Sequence, residues 1–261
     1  MIYLKVRFPL FPILIICFLN ISCEQSQRNT LQEVPALPET APPSFVQTPP
    51  PAEDIPGSPG EMITLTLELP QPRFIGTPRT ALIGDMDTQP IGFPRPPFYV
   101  PAGTENLALH RPVTSSDSTP LIGALDLITD GDKEAQEGSY VELGPFLQQV
   151  TIDLELSAEI YALALWHCHQ YPAVYNDVII QVAENATFSR SVHTIYNNDQ
   201  DNSSGFGVGT DPPYIETYEG KLINAGGVRG RYVRLYSRGN NCSDLNHYTE
   251  VEVYGLPVPT L

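Results

Sequence analysis

Two carboxylates one residue apart, in Asp130-Gly131-Asp132, are the most suggestive chemical group of the chain. Gly131 permits the positive φ that a tight turn can require. A hard cation such as calcium takes six to eight oxygens from carboxylates and backbone carbonyls. A metal-free turn closed by hydrogen bonds is the alternative. His167-Cys168-His169 follows an apolar, strand-like run. Residues i and i+2 share one face of a strand, so the two imidazoles could meet a zinc ion, contact a sugar, or form a structural pair. Zinc needs further ligands, and His110, His193 and His247 are remote in sequence. Asp199-Gln200-Asp201-Asn202-Ser203 begins like an EF-hand loop, but Ser204 stands where that loop needs glycine and Thr210 where it needs glutamate. It reads better as a hydrogen-bonded loop. No His-Glu-x-x-His helix and no Gly-x-Ser-x-Gly elbow occurs.

A different chemistry is written in the aromatics. Sugar recognition needs an exposed ring for the apolar side of a pyranose and directional groups for its hydroxyls. Tyr171, Tyr175, Tyr214 and Tyr248 lie in loop-like contexts beside Asn176, Asp177, Asn246 and His247. The candidate ligand set is Trp166, His167, His169, Tyr171, Tyr175, Asn246, His247 and Tyr248. For Trp166, the only tryptophan, core packing against a sheet is an equally good reading. Cys168 and Cys242 could form a disulfide in an exported domain.

The elements that must hold these groups are short and alternate with period two: residues 150–156, 160–166, 178–183, 231–236 and 250–254. Gly, Asn, Asp and Pro clusters separate them, and no long 3.6-residue stripe appears. This pattern predicts an all-β fold, an antiparallel β-sandwich or jelly roll. Val150, Ile152, Leu154 and Leu156 should face the core, with Thr151, Asp153 and Glu155 outward. Val233 and Leu235 should likewise point inward.

Five blocks in order carry a resemblance: Asn106 to Ser116, Ile128-Thr-Asp-Gly-Asp132, Val150-Thr-Ile-Asp-Leu154, Arg231-Tyr-Val-Arg-Leu235 and Glu250-Val-Glu-Val-Tyr-Gly255. Together they resemble a discoidin domain, the coagulation factor 5/8 C-terminal type, over residues 106–255. The resemblance implies the galactose-binding-like jelly roll used by many carbohydrate-binding modules. It further implies a structural calcium held by the Asp130 carboxylate, the Leu127, Asp132 and Thr249 carbonyls, and Glu250. The function implied is non-catalytic binding of a glycan or glycosylated surface. A metal- or carboxylate-dependent glycan hydrolase and a protein-docking module of the cell envelope are the alternatives.

Residues 1–23 read as an export signal, with Lys5 and Arg7 ahead of an apolar run from Phe8 to Leu19. That run, roughly a dozen residues, is short for a membrane span. Leu19-Asn-Ile-Ser-Cys23 resembles a bacterial lipoprotein signal, with Asn20 where leucine is usual, so Cys23 is expected to be lipidated. The protein should then sit at the outer membrane, cell surface or periplasm and touch membrane only through that anchor. Residues 24–60 form a proline-rich, disordered tether, residues 61–105 a strand plus irregular lead-in packed on the domain, and 256–261 a tail. Seventeen of the 27 prolines lie between Val34 and Pro101, which leaves a fairly ordinary β-domain behind them. The formal net charge of the 261-residue chain is −16. It excludes a general nucleic-acid binder, which needs a basic footprint.

Overall fold

Alternating apolar residues along two long stretches build the spine of the fold. The computed structural model describes residues 60–78, 84–90 and 93–259. The export signal, Cys23, the tether up to residue 59 and residues 260–261 lie outside them. Among the described residues the strands are β1 (Met62–Thr64), β2 (Tyr99–Pro101), β3 (Glu105–Asn106), β4 (Val113–Ser115), β5 (Val141–Pro145), β6 (Gln148–Trp166), β7 (Val174–Tyr175), β8 (Ile179–Ala183), β9 (His193–Asn197), β10 (Tyr214–Ile215), β11 (Lys221–Ser237), β12 (Leu245–Tyr248) and β13 (Glu250–Pro257). One turn of 3-10 helix, Leu125–Thr129, precedes the Asp130 turn.

The main sheet is antiparallel, ordered β3-β13-β6-β11-β8-β9. One edge of β6 is shared: β4 lies along its first half, at Val113↔Ile152, and β13 along its second, at Glu250↔Trp166. Its other edge pairs throughout with β11. Both long strands are bulged. Residues 154–157 stand opposite Arg231 alone, and residues 225–227 opposite Tyr161 alone. Bulges of this kind bend a strand and increase its twist, which lets one strand serve both ends of a sandwich. Gly227, at φ +79, has no Cβ to collide with the Tyr161 ring.

The smaller pairs β5–β12 and β7–β10 put Val141, Leu143, Tyr175, Tyr214 and Tyr248 into the same core as Val150, Ile152, Leu154, Val233, Leu235, Val251 and Val253. Burial of each such aliphatic side chain is worth about 1.5–3 kcal/mol. The architecture is therefore the all-β antiparallel sandwich that the alternation implied. Two details differ. Thr151 is buried rather than exposed, because Arg234 lies over it and donates Nε–H to its hydroxyl at 2.8 Å. Leu156 falls inside the bulge and is only half-buried against the core.

The lead-in holds less strand than its alternation offers. The alternation of residues 62–69 yields only the three-residue β1, paired with β2, and Met62 and Ile63 are exposed. This strand covers the surface and buries no face of its own. The rest of the lead-in is irregular and fastened by side chains. Arg95 donates to the carbonyls of Glu219 (2.8 Å) and Gly220, and its Nε lies 3.6 Å from the Glu219 carboxylate. Thr217 donates to Gln89 at 3.0 Å. Arg95→Ala should therefore cost about 1–3 kcal/mol locally and raise the rate of limited proteolysis within residues 60–98, with the sandwich itself still protected. An unchanged cleavage rate would show that Arg95 does not hold the lead-in.

Candidate functional site

The Asp130 turn closes against the start of the last strand. Gly131, at φ +91, donates its N–H to Glu250 Oε2 at 3.0 Å. Asp130 accepts from the Asp132 N–H at 2.8 Å, and Asp132 accepts from the Glu134 N–H and the Ser139 hydroxyl. Glu250 is fully buried, and its Oε1 has no partner. Burial, then the nearby Glu252 and Asp130 carboxylates, push its carboxyl up to about 9, against the Gly131 N–H and the Lys133 ammonium. Lys133 is itself buried, paired with Glu252 at 2.8 Å and placed over the Trp166 ring. A buried carboxylate oxygen without a donor is an atom that a cation would satisfy. Leu127 lies on the 3-10 turn entering this junction, and Thr249 immediately precedes Glu250. The residue types present fit calcium, which is bound by oxygens.

The aromatic and histidine candidates lie inside. Trp166, His167, His169, Tyr175, Asn246, His247 and Tyr248 are all buried, and Tyr171 is half-buried. Most of their polar tips have an internal partner, although His167 Nε2, His169 Nδ1 and His247 Nδ1 are buried without one. Trp166 Nε1 donates to the Tyr218 carbonyl at 3.0 Å, and Gly220 presses against its ring so closely that a Cβ there would fall 2.5 Å from a ring carbon. His167 Nδ1 lies 3.1 Å from Glu216 and 3.2 Å from the Tyr214 hydroxyl, with its ring stacked on Tyr175. His169 reaches the Lys133 carbonyl at 2.8 Å, so the two imidazoles diverge and share no ligand. His247 pairs with Glu142 at 2.8 Å, and burial holds its imidazole below the ordinary value despite that carboxylate. Tyr248 shares a hydrogen bond with Ser237. Asn246 donates to the carbonyls of Gly144 and Phe146 and accepts from Ser237 and the Gly239 N–H. Stacking on a pyranose needs an exposed face, and the buried rings present none. Their contacts brace the loops from within.

Cys168 carries a free, buried thiol, raised above its ordinary pKa by burial. The bridge to Cys242 that the sequence left open is therefore not made by Cys168. The arginines of β11 are also committed: Arg231 to Asp153, Arg229 to Glu184, and Arg234 to Thr151 and the Ala186 carbonyl. Asp177, Asp199 and Asp201 bring carboxylate oxygens within 4.8 Å of one another, a set that could hold a cation. Backbone N–H groups of Ser203 and Ser204 donate to the Asp199 oxygens, so the loop also carries its own internal hydrogen bonds.

A cleft of about 360 Å³, which no periodicity in the sequence marks, lies between the lead-in and the sandwich. Ligand pockets start near this size. Thr77, Asp87, Gln89, Phe93 and Phe98 line one wall, and Tyr214, Thr217 and Lys221 the other. Asp87 is bound to Lys221 through Oδ2 at 2.5 Å, and the Lys221 ammonium also sits over the Tyr196 and Tyr214 rings. Phe93 is 70% exposed and Asp87 52%. A pair of phenylalanines among prolines at 93–98 was the one available clue, and without periodicity it pointed nowhere.

No protein-family model matches the chain, and no curated protein matches it. Among solved structures the chain is similar to a family 89 glycoside hydrolase from Clostridium perfringens, at 21% identity and a TM-score of 0.43 over 60% of this chain. It spans only 16% of that hydrolase chain. A fucose-binding module from Streptococcus pneumoniae is similar over 57% of this chain and 97% of its own, at 17% identity and a TM-score of 0.42. A CBM32 module from Clostridium perfringens, in complex with GlcNAc-α-1,4-galactose, is similar over 59% of this chain and 95% of its own, at 17% identity and a TM-score of 0.43.

Proposed function

We propose that this chain is a non-catalytic glycan-binding module, exported and held at the cell envelope through lipidated Cys23, with a structural calcium seated on Glu250 and the Asp130 turn. One observation carries the choice of binding over hydrolysis. Among the described residues lining the cleft there is a single carboxylate, Asp87, already tied to Lys221, whereas carboxylate-pair glycosidases need two about 5–10 Å apart. The histidines that a metal hydrolase would use are locked into separate internal bonds. Support for calcium comes from the unpartnered Glu250 oxygen. When bound, calcium would supply charge neutralisation at that junction and brace the turn; the chain's own residues would contact the glycan. Affinity at one site of this kind is weak, and many anchored copies would raise it by avidity.

A glycan array probed with the purified chain tests this reading. Signal on at least one class of glycan at millimolar protein-equivalent affinity is expected, and it should weaken when a chelator loosens the turn. Silence across the array would remove the glycan reading, and a protein-docking role in the envelope would take its place.

A further inference from the structure

We propose that the cleft between the lead-in and the 214–222 segment is the glycan site, and that it takes a neutral, hydroxyl-rich sugar. This inference rests on the glycan-binding reading and supplies the place and the class of ligand. Of the set read from the sequence only Tyr171 is even half-exposed, and the cleft offers a more open stacking surface. Phe93 stands 70% exposed on its rim. An exposed phenylalanine beside polar groups suits the apolar side of a pyranose.

The polar groups fit hydroxyls. Asp87 Oδ2 is held by Lys221, which leaves Oδ1 to accept from a ligand. Gln89 gives its Oε1 to Thr217, which leaves its Nε2 amide to donate. An acceptor and a donor on neighbouring residues match adjacent hydroxyls of one sugar ring. Thr77 and Thr88 add hydroxyls to the same wall. Charge decides the class. Among the described residues the cleft is lined by two cations, and both are spent, Lys221 on Asp87 and Arg95 on the Glu219 and Gly220 carbonyls and the Glu219 carboxylate. A sialylated, uronic or sulfated glycan would meet the exposed Asp87 carboxylate and, among the described residues, no available cation at the cleft, in a chain of net charge −16. The lead-in therefore supplies half of the site, and the block of residues 106–255 alone holds only the other half.

The full chain is titrated with the neutral glycan giving the strongest array signal and, independently, with free galactose, glucose, N-acetylglucosamine and fucose, followed by saturation-transfer NMR. Phe93→Ala should weaken binding about tenfold, and Asp87→Asn by a factor of about three to ten. Phe146→Ala, which removes an exposed ring at the β5–β6 turn, should leave binding unchanged. Binding that survives both cleft variants would place the site elsewhere while the glycan-binding reading stood. Binding confined to acidic glycans, or to a proline-rich peptide, would overturn the ligand class. No glycan binding by the wild-type chain would remove the function and the site together.

Discussion

Trp166→Ala should destabilise the domain by about 3–5 kcal/mol, the cost of emptying a large buried aromatic site. For a folded unit of this size that corresponds to a melting temperature lowered by roughly 10 °C. Several contacts vanish together. The indole N–H no longer meets the Tyr218 carbonyl, Gly220 loses the ring it packs against, and the Lys133 ammonium loses its aromatic cover. The loop affected, residues 216–220, also receives the Arg95 clamp, so the lead-in should loosen as well. Trp166→Phe keeps most of the volume and loses the hydrogen bond, and should cost about half as much. Thermal melts are best followed by circular dichroism, because the substitution removes the only tryptophan. A loss below about 1 kcal/mol for Trp166→Ala would mean that the ring is not the buttress described, and a surface role would reopen.

Calcium should raise the melting temperature of the wild-type chain, and more at pH 8 than at pH 5. The direction follows from Glu250. Its ordinary value is 4.5, and burial beside Glu252 and Asp130 lifts it to about 9 in the metal-free fold. Between those values the native state keeps a proton that the unfolded chain releases. Stability of the metal-free protein is therefore full below about pH 4.5, falls as pH rises toward 9, and levels off above it. The accumulated loss is on the order of a few kcal/mol. A bound cation offsets the buried charge and adds mass-action stabilisation. Glu250→Gln removes the ionisable group while keeping its shape. That variant should show a flatter pH profile from 5 to 9, no response to calcium, and at pH 8 a higher melting temperature than chelated wild type. Identical melting of wild type with calcium and with chelator at pH 8 would count against the metal.

The sandwich was legible in the sequence because its signal is local. Val150, Ile152 and Leu154 alternate with polar neighbours, as do Val233 and Leu235, and a strand buried on one face has no other economical pattern. The Asp130 turn and Glu250 could be joined only through the family resemblance, since their contact spans 119 residues. That most of the aromatic set lies inside could not be read from residue type, for a physical reason. Tyrosine, tryptophan and histidine each combine an apolar body with a polar tip, so residue type alone does not say which end is wet. Glu216, which accepts from the His167 backbone and reaches its ring, and Ser237, which joins Tyr248 to Asn246, are the partners that take those tips inside. Beyond residue 69 the lead-in carries no periodic signal, and Arg95 is fixed by backbone carbonyls, which every residue carries.

The position of β6 in the sheet has a consequence for how the chain reaches its fold. Its principal partners, β11 and β13, begin at Lys221 and Glu250, while β6 itself ends at Trp166. A ribosome or an export channel delivers this apolar strand well before either neighbour exists, and only β4 is available to it earlier. Pairings this distant in sequence make folding slow, on the millisecond-to-second scale of all-β domains. During that interval the strand is exposed to association with other chains. The sheet can close only after residue 257 has emerged, so folding of this domain follows its delivery and does not accompany it.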